Sequence, residues 1–188
     1  MLSTGSERVD GMLRGAVGSV AGLAAMGLFF RATRALSNGG GSGNGESEEG
    51  PIEDRHGLDD ISLVGRQSRE EESATATIGR LAYEAAEGRE PDEQMKQKLG
   101  QAVHWGYGVL LGGLYGALRT DVESPDFLGG LGYGAAAWVI GDELMVPLLG
   151  LAEGPTAHGW TEHAATLGAH LVYGAATSSV TQALRHVM

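Results

Sequence analysis

The chain has 188 residues, a formal net charge of −11, 32 glycines and no cysteine. This length suits one domain. The acidic balance disfavours nucleic acid as a partner, and the lack of cysteine excludes disulfides and thiolate metal sites. A near-neutral mean hydropathy of −0.09 hides a split: residues 37–98 are polar and acidic, while the remainder is rich in Gly, Ala and Leu.

Residues 1–36 predict a first transmembrane helix with a short N-terminal tail. Gly15 to Phe30 is uncharged, and with its flanks it approaches the ~20 residues that span hydrocarbon if Arg14 reaches the interface. The run is long for a signal peptide, ends in Arg31 and Arg34, and has no clean small-x-small cleavage site before polar sequence. A retained helix is therefore expected. Residues 37–69 read as a flexible acidic linker, because Gly and Ser remove stiffness and the acids keep it solvated. Within it, Ile61, Leu63 and Val64 form an apolar patch expected to dock back. Residues 70–90 predict a surface amphipathic helix with Ala74, Ile78, Leu81, Ala82 and Ala85 on one side. Docking on the other helices and lying at the membrane interface both suit it.

Residues 91–188 predict three further transmembrane helices, at about 98–119, 126–151 and 164–185. Glu90-Pro91-Asp92-Glu93 is a helix start: proline fits the first turn and carboxylates complement the dipole. No charged residue lies between Lys98 and Arg119. Ser124 as N-cap and Pro125 at the first helical position predict the opening of the third span. Pro147 cannot donate to the carbonyl of Glu143, four residues earlier, so a kink is predicted there. The last helix carries Thr177, Ser178, Ser179, Thr181 and Gln182 and is the most polar.

One phrase occurs twice. His104, Tyr107, Gly108, Ala117, Leu118 and Arg119 return in register as His170, Tyr173, Gly174, Ala183, Leu184 and Arg185. His, Tyr and Arg are scarce here, so the recurrence predicts a duplicated unit. A looser match aligns Gly15, Gly18 and Gly27 with Gly129, Gly132 and Gly141. Together they predict two helical hairpins related about an axis along the membrane normal. Small residues four apart, among them Gly108, Gly112, Gly116, Gly130, Gly134 and Gly174, allow close helix packing in lipid. Unused small-residue faces also suit a homo-oligomer.

Helix rise places a polar layer. His104, His170 and the Asp142/Glu143 pair fall ~9–12 Å inside one membrane face, with Tyr107 and Tyr173 one turn deeper. His158, Glu162 and His163 lie at its mouth. Ionisable groups inside a span are costly and are functional candidates by default. They also have a structural use, hydrogen-bonding neighbours to lock helices together. A His/carboxylate layer suits proton or ion handling. His104, His170 and Glu143 are the candidate ligands for iron, zinc or manganese, although no HExxH or ExxH motif occurs within the predicted spans. Haem between His104 and His170 is disfavoured by glycine lining. No cofactor is required by the sequence, and no nucleophile motif points to an enzyme.

The stretches HWGYGVLLGGLYG (104–116), GYGAAAWVIGDELMVPLLGL (132–151) and HLVYG (170–174), with the Gly-rich first span, resemble the YagU-like family of small prokaryotic inner-membrane proteins. The resemblance covers the four spans and not the acidic insert. It implies a multi-pass inner-membrane location and a link to acid response. The expected fold is all-α: an integral membrane four-helix bundle of two duplicated hairpins with a partly disordered acidic insert. The lipid bilayer is the expected partner. Arg and Lys near the spans favour the insert in the cytoplasm. The expected function is proton or ion handling by the buried layer; the alternatives are a non-catalytic assembly protein and a metal- or haem-binding one.

Overall fold

The computed structural model describes residues 5–38, 61–69, 72–119 and 126–185. All elements among them are helical: α1 (Gly5–Asn38), α2 (Ala74–Glu87), α3 (Glu93–Leu118), α4 (Phe127–Ala137), a π-helical segment (Trp138–Met145), one turn α5 (Val146–Leu148), a 3₁₀ turn (Pro155–Ala157) and α6 (Trp160–Arg185). The heart of the linker (39–60) and the Ser124-Pro125 start lie outside the described residues.

α1 is the hub, packing along its length against α3 and α6, while α4 packs on α6 and α2 on α3. The reason is spacing. Gly11, Gly15, Gly18, Ser19, Gly22, Leu23 and Met26 are buried and recur every three or four residues, the period of one helix face. Gly15 abuts Gly112 and Gly116, and Gly18 and Gly22 abut Thr177, Thr181 and Tyr173. Along α1 the partner numbers fall as its own rise, so α1 runs antiparallel to both neighbours. Gly130 and Gly134 meet Gly174 and His170 in the same manner. Of the glycines named from sequence, Gly15, Gly18, Gly22, Gly112, Gly116, Gly130, Gly134 and Gly174 sit where backbones cross, Gly108 faces the Leu23 side chain, and Gly27 and Gly132 face open space.

The register of the looser match is not reproduced. Gly108 faces Leu23, whereas its repeat mate Gly174 faces Gly130 and Gly134. Aligning Gly15 with Gly129 would put Ala137 in that place. Glycine-rich segments align with one another at several offsets, and packing selects one.

Several boundaries move. α3 begins slightly later than expected: Asp92 is the N-cap, accepting from Met95 N at 2.8 Å, so Pro91 precedes the helix and is not in its first turn. The N-cap of α4 is Asp126, not Ser124: its carboxylate accepts from Gly129 N at 2.7 Å. α6 starts at Trp160, a turn before Ala164. α2 has Ser73 as N-cap and ends on Gly88 in the left-handed region (φ 67°). Its buried residues are Thr77, Gly79 and Arg80, while Ile78 and Ala82 are exposed. The apolar side read from sequence thus faces outward. Gly79 and Ala76 sit on Leu99 and Gly100 instead, because small residues permit the closer approach.

Leu63 and Val64 also turn outward, at 80% and 59% exposure. Segment 61–69 docks through its backbone: Leu63 N donates to Leu148 O at 2.9 Å and Gln67 N to Gly150 O at 2.8 Å. Arg80, nearly fully buried, knots this segment to α2. Its guanidinium grips Glu72 with a fork (2.9 and 3.0 Å) and donates to Gln67 O at 2.7 Å. Burial pushes the Glu72 carboxyl up, but Arg80, Thr77 and the Arg69 amide together hold it below the ordinary range.

A small apolar core of Leu23, Met26, Ala169 and Tyr173 shares the interior with hydroxyl side chains, while many large apolar side chains lie outside. The largest fully buried side chains are Thr77, Thr177, Ser19 and Ser178. Val9, Leu13, Val17, Leu28, Leu110, Leu114, Leu118, Phe127, Leu128 and Ile140 are exposed. Among the described residues one helix, α1 over Gly5–Leu36, is long and apolar enough to cross a membrane. Signal sequences and core helices share that length and composition. α3 and α6 carry too many polar side chains to match it, and the third apolar stretch is divided by its π-helical segment. On this measure the expectation of four apolar spans holds for α1 alone.

Candidate functional site

Pro147 explains the local geometry of the acidic pair. It has no N–H, and its ring crowds the carbonyl of residue 143 in a regular α-helix. The chain carries a π-helical segment of 8 residues, Trp138–Met145, just ahead of the proline. Val146 N–H reaches back five residues to Gly141 O. The helix then closes on Gly150 (φ 65°), with Gly150 N on Pro147 O and Leu151 N on Val146 O, the paired bonds of a left-handed C-terminal cap. π-helical turns often mark functional positions.

The segment aims its two acids at different partners. The Asp142 carboxylate points to His170 Nε2, with Oδ2 3.6 Å away. Glu143 Oε1 lies 2.7 Å from His163 Nδ1. Glu143 therefore does not join His104 and His170, as depth alone suggested; it belongs to the mouth. His158 pairs with Glu162 at 3.1 Å on the surface. The mouth residues His158, Glu162 and His163 do lie together, since the His158 and His163 rings are 6.3 Å apart.

Hydrogen-bond partners assign the protons. His170 Nδ1 lies 2.9 Å from Thr166 O. A carbonyl only accepts, so Nδ1 carries a hydrogen and the neutral ring presents the Nε2 lone pair to Asp142. Two lone pairs facing each other repel. One proton between them gives either O–H with N or N–H⁺ with O⁻. His104 of α3 is close enough to His170 and Asp142 to interact electrostatically with both, and Tyr107 with Asp142. Tyr107 Oη also borders Gly141. His170 and Asp142 are the contacting pair, with Tyr107 at the neighbouring Gly141 and His104 one turn before Tyr107 on α3.

His163 differs in kind. Its Nε2 lies 2.8 Å from Pro155 O and its Nδ1 faces Glu143. Both nitrogens face acceptors, so with Glu143 ionised the ring is an imidazolium. The hydrogen bond to Glu143 pushes the His163 pKa above its ordinary value, outweighing the opposing effect of burial. This clamp ties the π-helical segment to the first turn of α6.

Tyr173 is not the counterpart of Tyr107. It is buried, and its hydroxyl donates to Gly108 O at 2.6 Å while accepting from Tyr133 at 3.0 Å. Tyr107 is half exposed. Tyr115 donates to Ser178 at 2.9 Å, its ring 4.6 Å from that of Tyr133. Sequence reasoning missed Tyr115 and Tyr133. A signal existed: Tyr107, Tyr115, Tyr133 and Tyr173 are each followed by glycine, pairing a hydroxyl with a close backbone approach.

Among the described residues no group of three or more His, Asp or Glu side chains could hold a metal ion. The candidate set His104, His170 and Glu143 is not assembled, because Glu143 is committed to His163. A wide hollow lined by Gln94, Gln97, Lys98 and Gln101 lies on the first turns of α3, apart from this group. Comparison with family models, curated proteins and solved structures returns no match to this chain. The YagU-like resemblance rests on the quoted residues alone.

Proposed function

We propose that the chain is a multi-pass membrane protein of four helices, and that its His104/Tyr107/Asp142/His170 group binds and releases a proton, in proton or ion handling or an acid response. The exposed apolar side chains support the membrane reading: Val9, Leu13 and Val17 of α1 and Leu110, Leu114 and Leu118 of α3 recur every four residues on the outside, as a lipid-facing stripe would. Glycine crossings with interhelical hydroxyl bonds are how helices associate in lipid. The two glycine-crossed hairpins, α1 with α3 and α4 with α6, suit a duplicated unit.

One observation carries the functional reading. His170 Nδ1 is held by Thr166 O, so its other nitrogen meets Asp142 with a lone pair. An imidazole lone pair 3.6 Å from a carboxylate oxygen is an arrangement that a single proton would stabilise, which supports the proton reading. The structural reading has its own observation, the His163–Glu143–Pro155 clamp, and we assign that role to the clamp only.

Reconstituted vesicles carrying an imposed pH gradient test the proposal. We expect a proton flux that Asp142→Asn and His170→Gln each abolish while both variants elute as folded protein, and that Glu162→Gln leaves intact. Equal flux in all variants, or none in the parent, contradicts it.

A further inference from the structure

Asp142 poses a problem that proton sharing leaves unanswered. Its side chain is 44% exposed, yet Val139, Ile140, Leu144 and Met145 around it are exposed too. A carboxylate in the middle of an apolar exterior is expensive unless something meets it there.

The surroundings define a window. α3 makes no extended backbone contact with α4 or the π-helical segment, and the gap between their backbones is bridged by side chains, Tyr107 Oη at Gly141 and the Tyr115 ring on Tyr133. α6, with His170, forms the back. At one end the gap is roofed: α2 sits on Leu99 and Gly100 of α3, and segment 61–69 carries across to Leu148 and Gly150. Arg66 adds an ion pair to Glu153 at 3.2 Å. At the other end the Tyr115 and Tyr133 rings close it. The remaining approach to Asp142 is sideways, past half-exposed Tyr107.

Resting on the membrane and proton-site readings above, we propose that this window binds an amphiphilic organic cation that arrives laterally from the lipid and competes with the shared proton for Asp142. Charge complementarity selects the head. A carboxylate at a low-dielectric surface is best met by a cation, and the Tyr107 ring beside it offers a cation–π face. The body would lie on Leu110 and Leu114, on the Tyr107 face of α3, and on Val139. The titratable groups facing Asp142 are His104 and Tyr107 from α3 and His170 from α6; its neighbour Glu143 is held by His163. α1 contributes none, having no ionisable residue between Arg14 and Arg31. Because cation and proton exclude each other, each weakens the other by the same factor.

The test is equilibrium dialysis of radiolabelled tetraphenylphosphonium against the full chain in detergent, from about pH 5 to about pH 9. The expected result is saturable binding that tightens by up to about tenfold per pH unit as one proton is displaced, and weakens at least about tenfold in Asp142→Asn but not in Glu162→Gln. If Asp142→Asn fails to fold, the pH dependence of the parent protein decides alone. Binding that is non-saturable or indifferent to pH overturns the inference. So does a dimer that holds the window shut, seen by light scattering together with no cation uptake. Loss of cation binding with the vesicle proton flux intact sinks this inference only. Loss of both sinks the proton-site reading as well.

Discussion

Gly22 offers a sharp test of the packing. A methyl group there would lie 2.7 Å from Tyr173 O and 2.8 Å from Tyr173 Cδ2. Backbone cannot yield as a flexible side-chain end can, so α1 and α6 must part by about 0.7 Å to regain ordinary contact. Overpacking of this kind costs about 1–3 kcal/mol. The strain also reaches Tyr173, whose hydroxyl bonds to Gly108 O tie α6 to α3. Gly132 is the control, because nothing lies within 4 Å of an added methyl. There alanine should gain up to ~1 kcal/mol from helix propensity. Unfolding of both variants in mixed micelles, followed by circular dichroism, should separate them by roughly 2–4 kcal/mol. Gly22→Ala and Gly132→Ala behaving alike would refute close α1–α6 packing as the source of the glycine pattern.

Arg80→Ala strands the nearly buried Glu72 carboxylate, a loss of about 3–5 kcal/mol. It falls on α2 and segment 61–69, so limited proteolysis should cut there first while α1, α3 and α6 stay protected; unchanged protection of α2 contradicts the knot. The His163 clamp predicts a pH-dependent term in stability. Its contribution is complete below the ordinary histidine value of 6.5 and fades as pH rises through the raised one. Thermal unfolding of the parent should therefore lose about 1 kcal/mol across that range, and His163→Ala should show no such loss. Tyr173→Phe removes a buried hydroxyl that serves both Tyr133 and Gly108, and should cost about 1–3 kcal/mol in the same unfolding assay; a neutral result would mean the hydroxyl is not buried there.

Much of the fold was legible because few residue types carry it. Glycines at three- and four-residue spacing mark the crossings, and Asp92 announces α3 through its own carboxylate. The Pro147 disturbance was legible in position but not in form, since a missing N–H says only that the regular ladder fails. Whether the chain kinks or widens depends on what its side chains meet. That choice separates Asp142 from Glu143, which depth alone had grouped. Of the two placements that the sequence left open for α2, its docking contacts come from other residues than its apolar side. Apolar periodicity locates a face that avoids water, yet α2 docks by Gly79 and the Arg80–Glu72 fork. Composition cannot distinguish close approach through small residues from burial of large ones. Tyr107 and Tyr173 repeat in sequence but not in environment, because α4 with Tyr133 stands over one and the open gap beside the other.

The most direct test is the nitrogen-15 spectrum of the His170 ring in the membrane-reconstituted protein. The neutral ring should be the Nδ1–H tautomer, with a bare Nε2 whose resonance moves when Asp142 is changed to Asn. A ring carrying its hydrogen on Nε2, or an Nε2 resonance indifferent to that substitution, would show that the two side chains do not share a proton.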